Sequence, residues 1–366
     1  GGNPQTARSQ VALALLAAQL TLSALFVCPT TIHAQQQRLR AYGYFDLETE
    51  ISNKNSAGKR WTFDQHHFNV ITIYRVDDRT RVFSEIEWEH GVELSTDPAV
   101  SSGLVALERA WLEYSSSQTF RVKAGKFLVP FGIFNLEHDA SPTYLSTSLP
   151  GSVYGKRRNT VGSNQRLFSK FGTGLQVLGE FGFSAGDLAY YLYLVNGRGP
   201  EPHKQDNNSN KGIGGRLYFS GSLDLYRIGL SYYGDRNGVA DDTRQRSLAF
   251  DAELNYHGFK LQTELILPEM ENVSLSGFPD GSFRSSAGFY AQGSFEVSDK
   301  ITPFGRYEFF DPDRDTGNNR ENIFVLGLNA SLTHHLYLKA EGHLHRLQNP
   351  GVRGYERFVS SVAVAF

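Results

Sequence analysis

From Leu39 to Phe366 the chain is written in segments of about ten residues in which apolar and polar side chains alternate. Leu39, Ala41, Gly43, Phe45 and Leu47 fall on one face of the first segment, against Arg40, Tyr42, Tyr44, Asp46 and Glu48 on the other. Val82, Ser84, Ile86 and Trp88 likewise oppose Arg81, Glu85, Glu87 and Glu89, and Leu336, Leu338 and Ala340 oppose Tyr337, Lys339 and Glu341. A period of two is the period of a β-strand, whose successive side chains point to opposite sides of a sheet. The chain is therefore all-β. Alternation alone fits two architectures: a soluble sandwich turns its apolar face to a core, whereas a membrane barrel turns it to lipid.

The connections separate them. Asp77-Asp78, 115–118, 184–187, Gly221-Ser222, His257-Gly258, 298–300 and 333–335 read as tight turns. Between them fall long links near 52–60, 94–103, 127–166, 197–211, 235–244, 269–285, 311–320 and 347–353. Short and long links alternate throughout, as outer-membrane barrels alternate periplasmic turns with external loops. Seven turns and eight loops join about sixteen antiparallel strands, an even number that puts both ends on the periplasmic side. The last strand carries Phe358, Ser360, Val362, Val364 and Phe366 on one face, an aggregation hazard unless it closes a barrel against the first strand.

The third long link, Gly125 to Gln165, is too apolar at its start for a solvated loop, and loops of such length are usually functional. It is expected to fold into the pore and narrow it. Lys126, Phe127, Pro130, Phe131, Phe134, Lys156, Arg157 and Arg158 are its candidate constriction residues, with the phenylalanines as anchors on the wall. A disordered insertion is the alternative.

Ahead of the strands, the apolar run Val11 to Val27 follows Arg8 and leads through Pro29 to Ala34, where small-residue cleavage before Gln35 is expected. Residues 1–34 thus read as a secretory signal peptide and 35–366 as a single barrel domain. A membrane-anchoring helix fits the flanks less well, and Leu25-Phe26-Val27 lacks the small residues that lipidation of Cys28 prefers. With cleavage there the mature chain has no cysteine, so neither disulfides nor thiolate metal sites are expected.

Lipid-facing positions must avoid charge, because Lys or Arg at mid-membrane costs roughly 2–4 kcal/mol. Charged faces therefore point inward. Asp46, Glu48, Glu85, Glu87 and Glu89 would build an acidic wall on the first three strands, and Arg109, Arg121, Lys123, Arg216 and Arg227 a basic one, with Arg306 also in the lumen. Fixed charges of this kind are how channels select ions. The alternative is that neighbouring charges pair and simply solvate the lumen. Nucleic-acid binding is not expected of a net charge of -2.

No catalytic residue is assigned: neither HExxH nor a phosphate-cradling glycine loop occurs, and the GxSxG pattern at Gly182, Ser184 and Gly186 falls on a tight turn between two strands, without the strand-to-helix elbow that exposes such a nucleophile. His66-His67, His334-His335 and the His343/His345 pair are the histidines to weigh. His343 and His345 share a face and read as polar lumen lining rather than a metal pair, having no carboxylate or cysteine partner at ligand spacing. His334-His335 sits at a turn where opposite-facing neighbours do not chelate together easily, and no metal or cofactor is expected. Passive diffusion through a water-filled pore is the leading functional reading. A barrel hydrolase, or a structural or adhesion barrel with a plugged lumen, are the rivals.

FDQHHFNV near Phe63, EIEWEHG at Glu85, AGKFLVPFGIFN at Ala124, YLYLVNGRG at Tyr191, GFYAQGSFEV at Gly288 and PFGRYEFFDPD at Pro303 together resemble the outer-membrane porin O and P family, the phosphate-selective porins. The resemblance covers most of 39–366 and implies sixteen-stranded, usually trimeric channels whose third loop enters the pore. It also implies a location in the outer membrane of a Gram-negative-type bacterium and contact with outer-membrane lipid. Independently of it, the terminal Phe366 after alternating apolar residues resembles the signal by which barrel-assembly machinery recognises its substrates. Phosphate selectivity in that family depends on a ladder of arginines and a cluster of lysines, whereas this lumen carries at least as many carboxylates as basic groups. Only weak anion preference is expected, from Lys123, Lys126, Lys156, Arg157 and Arg158 near the constriction, with small hydrophilic solutes or anions as cargo.

Overall fold

The computed structural model describes residues 38–54, 60–93, 102–136, 141–155, 157–158, 164–165, 167–197, 205–206, 208–237, 243–271, 283–348 and 351–366. The expected signal peptide and Lys156 lie outside them. The spanning strands are β1 (Leu39–Ser52), β2 (Arg60–Arg75), β3 (Thr80–Glu93), β4 (Ser102–Ser117), β5 (Phe120–Leu128), β6 (Phe171–Phe183), β7 (Gly186–Asn196) and β8 (Lys211–Gly221). They continue as β9 (Tyr226–Asn237), β10 (Thr243–Tyr256), β11 (Phe259–Glu271), β12 (Phe283–Ser285 and Ala287–Phe295), β13 (Ile301–Asp311), β14 (Glu321–Ser331), β15 (Leu336–Leu347) and β16 (Tyr355–Ala365).

Each strand pairs antiparallel with the next, and β16 returns to pair with β1 from Tyr44↔Ala365 to Ser52↔Arg357, closing a sixteen-strand barrel. Closure removes the open edge that the apolar last strand would otherwise present. It is sealed at the chain's end by reciprocal backbone hydrogen bonds: Gly43 N–H donates to Phe366 O at 2.8 Å and Phe366 N–H to Gly43 O at 2.9 Å.

The two faces separate as the alternation requires. Along β7, Leu192 and Leu194 are 59% and 45% exposed on the outside, while Tyr193 and Val195 keep 5% and 1% on the inside. The same contrast runs round the barrel, with Leu175, Ile213, Leu217, Ile228, Phe250 and Leu326 all exposed outward. An outer surface this apolar is stable only in lipid, so the protein is a transmembrane β-barrel. Tyr74, Phe120, Phe183, Tyr226, Tyr256 and Phe259 are exposed beside the short turns and form an aromatic girdle at that rim.

The short turns follow from local chemistry. Between β2 and β3, Asp77 Oδ1 accepts the backbone N–H groups of Arg79 and Thr80, both at 2.8 Å. His257 and Gly258 both take positive φ, 48° and 78°, which gives the two-residue hairpin joining β10 to β11.

Candidate channel constriction

The third long link leaves the wall at Leu128 and rejoins it at Phe171. Phe127, together with Lys126, lies on β5 rather than in the link as expected. Phe127 buries itself in one cluster with Val129, Phe131, Ile133, Phe134, Tyr144, Val153, Tyr154, Leu167 and Phe168 of the link. The wall contributes Tyr193, Tyr233, Ala249, Ile266, Tyr290 and Phe310 from β7 and β9 to β13. Leu145 packs farther round, against Phe304, Ile323 and Val325. Burying a side chain of this size stabilises by about 1.5–3 kcal/mol, so the phenylalanine run that looks wrong for a loop is what draws the loop inward.

Polar ties fix its path. Gly132 N–H donates to Ser231 Oγ at 3.2 Å, Ser152 N–H to Glu308 Oε2 at 2.8 Å, and Ser148 N–H to Glu341 Oε1 at 2.8 Å. Lys339 Nζ donates to the Tyr144 and Ser146 carbonyls at 2.5 and 3.2 Å, Asn329 Nδ2 donates to the Leu145 carbonyl at 2.9 Å, and the Thr147 and Ser361 hydroxyls share a hydrogen bond at 2.9 Å. Tyr154 Oη reaches Glu264, which also accepts from Tyr290. Burial first, and then the Glu264 charge, push the Tyr154 phenol well above its ordinary range and keep it a donor. The loop is thus bound along β9 to β16.

On the remaining side, a cavity of about 360 Å³ separates the loop from β1 to β3. Tyr144, Thr147, Ser148, Leu149, Tyr154 and Gly155 form its loop side, and Asp46, Glu48, His66, His67, Glu89 and His90 its wall. Arg357 also lines it and pairs with Glu50 at 2.9 Å. The sequence contains no hint that His66 and His67 share this wall, since neighbours in a strand point to opposite faces. A bulge decides it: Asp46 faces His67 but Glu48 faces Asp64, so β2 carries one extra residue. His66 Nδ1 lies 3.2 Å from Glu48, and the two imidazole centroids are 3.8 Å apart.

The basic candidates are distributed differently from a free basic wall opposite an acidic one. Arg109 pairs with Glu85, Arg227 with Glu253, and Arg306 with Glu308 at 2.8 Å. Arg216 reaches past β9 to Asp251 at 2.8 Å and donates to Ser231 Oγ at 2.9 Å. Lys123 lies 3.8 Å from Glu113 and over the Trp111 ring, while Lys126 donates to the Leu107 carbonyl at 2.6 Å. Arg121 stands at the short-turn rim, where it lines a cavity with Asp77 and Arg81. Buried charge without a partner is too costly to hold; most of these partners come from neighbouring strands, whereas Glu308 lies two residues from Arg306 on the same strand. Arg157 and Arg158 form a two-residue ladder with Asn164 and Gln165, and Pro130 is buried beside Phe131. His343 and His345, read as polar lining, lie 3.1 Å from Glu341 and 2.7 Å from Glu321.

The closed sixteen-strand barrel recurs in solved outer-membrane channels. The chain has the porin fold. An anion-selective porin from Comamonas acidovorans superposes with a TM-score of 0.63 at 13% identity, over 90% of this chain and 99% of the other. The outer-membrane channel DcaP of Acinetobacter baumannii gives 0.59 at 12% identity, over 90% and 97%. The trimer form of OmpT, an outer membrane protein of Vibrio cholerae, gives 0.57 at 12% identity, over 90% and 100%. No family model matches the chain. In sequence it is 28% identical over 162 residues to an uncharacterized protein of Aquifex aeolicus (strain VF5), a match that spans 42% of this chain and 33% of that protein.

Proposed function

We propose that this protein is a passive outer-membrane porin through which small hydrophilic solutes diffuse, with no covalent step and no cofactor. One observation carries the reading: the third loop is fastened to the inner wall along β9 to β16, while the side facing β1 to β3 keeps a cavity lined by polar groups. Sixteen strands enclose a lumen wide enough for water, and a loop that fills one side narrows it without plugging it. The local patterns shared with the porin O and P family support the same reading.

Ion preference follows from the charges nearest the narrowing, because at physiological ionic strength fields decay over about 8 Å. Asp46, Glu48 and Glu89 face the cavity against Arg357, beside His66, His67 and His90, a balance that favours cations where the imidazoles are neutral. Anion preference is the second reading. It rests on the basic run at 156–158 and on the name of the Comamonas porin. The outer apolar band contacts outer-membrane lipid, a homotrimer is the assembly, and Phe366 addresses the chain to the barrel-assembly machinery.

Liposome swelling tests the transport reading. Vesicles bearing the refolded protein should swell in pentose or hexose solutions and progressively less in larger sugars. Swelling no faster than protein-free vesicles in every sugar would overturn it.

A further inference from the structure

We propose that the inner wall of β1 to β3 holds a binding site for a first-row divalent transition cation of the zinc type, built from His67, Glu87 and Glu89 and oriented by Asp46. His67 Nδ1 lies 3.1 Å from Asp46 Oδ2, and Asp46 Oδ1 also accepts the His67 backbone N–H at 2.7 Å. A carboxylate at Nδ1 holds the proton there and turns Nε2 outward with its lone pair, the arrangement that orients and strengthens metal-binding histidines. That Nε2 faces Glu87 Oε1 at 3.8 Å and Glu89 Oε1 at 3.9 Å.

These separations are too long for hydrogen bonds, and the three ligand atoms lie within 4.8 Å of one another. The second observation lies at Glu87. Its side chain is 1% exposed, and Oε1, the atom turned to His67, has no hydrogen-bond partner among the described residues. A buried carboxylate oxygen in that position is costly unless something positive meets it. An ion about 2.0–2.2 Å from each ligand needs slightly closer contacts than those present, a change within reach of flexible Glu side chains.

The donor set points to the class of ion. One imidazole with two carboxylates suits zinc, cobalt, manganese or ferrous iron better than magnesium or calcium, which take oxygen ligands alone. Asp46, His66 and His67 bring ligand atoms within 4.8 Å of one another next door, as do Asp64, His66 and His90. The wall can therefore hand an ion from the cavity toward the buried pair. His67 and Glu89 line that cavity, which is the entry path.

The test is direct titration of the refolded full-length protein in detergent with Co2+, followed by its visible d–d absorption, and then displacement by Zn2+. Saturable binding in equal stoichiometry is expected. His67→Gln and Glu87→Gln should each weaken it at least about tenfold and Asp46→Asn about 10–100-fold, whereas His334→Gln, on a distant turn, should leave it unchanged. Heat-modifiable migration establishes that each variant is folded, and Glu89→Gln provides an independent ligand change should one of the others fail. Absence of Co2+ binding by the wild type, or equal affinity in folded His67→Gln and Glu89→Gln, would overturn the site. The titration reads binding without a bilayer, so its outcome is separate from that of the transport reading.

Discussion

The Tyr154 hydroxyl donates to the Glu264 carboxylate, 2.7 Å from one oxygen and 2.8 Å from the other, and so fastens the third loop to β11. The same hydroxyl accepts the Phe134 N–H at 3.0 Å. Gly132 adds a steric key: its φ is 65°, and a Cβ there would come 2.1 Å from Glu264 Oε2. A backbone turn, a phenol and a buried carboxylate thus fit one another at a single point.

Removing that hydroxyl should therefore loosen the loop without unfolding the barrel. Tyr154→Phe leaves a buried carboxylate short of a donor, at a cost of about 1–3 kcal/mol. Open-channel current noise should rise while heat-modifiable migration persists. Gly132→Ala should act in the same direction, since its side chain meets both the carboxylate and the left-handed backbone.

Deleting 144–155 removes the loop side of the cavity together with the ties to Glu308, Glu341 and Lys339. Single-channel conductance should increase, because the freed wall groups become hydrated. A folded deletion variant with unaltered conductance would place the loop outside the current path.

Ion preference should respond to the wall of β1 to β3 more than to β5. Replacing Glu48 and Glu89 with Gln should move the reversal potential in a KCl gradient toward the anion side. Lys123→Gln should move it less, since Lys123 already faces Glu113. The reverse ranking would put the filter elsewhere.

Much of the fold was legible because the strand period is strict: Leu192, Tyr193, Leu194 and Val195 announce outside and inside by their chemistry alone. The inward third loop was legible too, from Phe131 and Phe134, which are too apolar for a solvated link and pack against Phe127 at the end of β5. What strict alternation cannot express is an irregularity. One extra residue in β2 puts His66 beside His67 on the lumen side, and no local pattern marks it. Nor could single strands show that Arg216 passes Gly229 to reach Asp251, a partner 35 positions away. Pairs such as Arg306 with Glu308 lie within one strand, but Arg109 with Glu85, Arg227 with Glu253 and Arg216 with Asp251 are settled between strands, where the order of residues along one strand gives no sign of the partner.

Deleting Phe366 removes a ring stacked 5.9 Å from Phe68 as well as the reciprocal hydrogen bonds to Gly43. The yield of heat-modifiable barrel in the outer membrane should fall, and Phe366→Tyr should restore it. Normal assembly of the deletion variant would remove the terminal residue from any role in targeting.

The central claim, a water-filled pore narrowed but not plugged by its third loop, is tested most directly by recording the purified full-length protein in planar bilayers over a range of KCl concentrations. The account predicts stepwise openings whose conductance grows in proportion to that of the bulk solution. A folded, heat-modifiable protein that inserts into the bilayer yet passes no current at any salt concentration would contradict it.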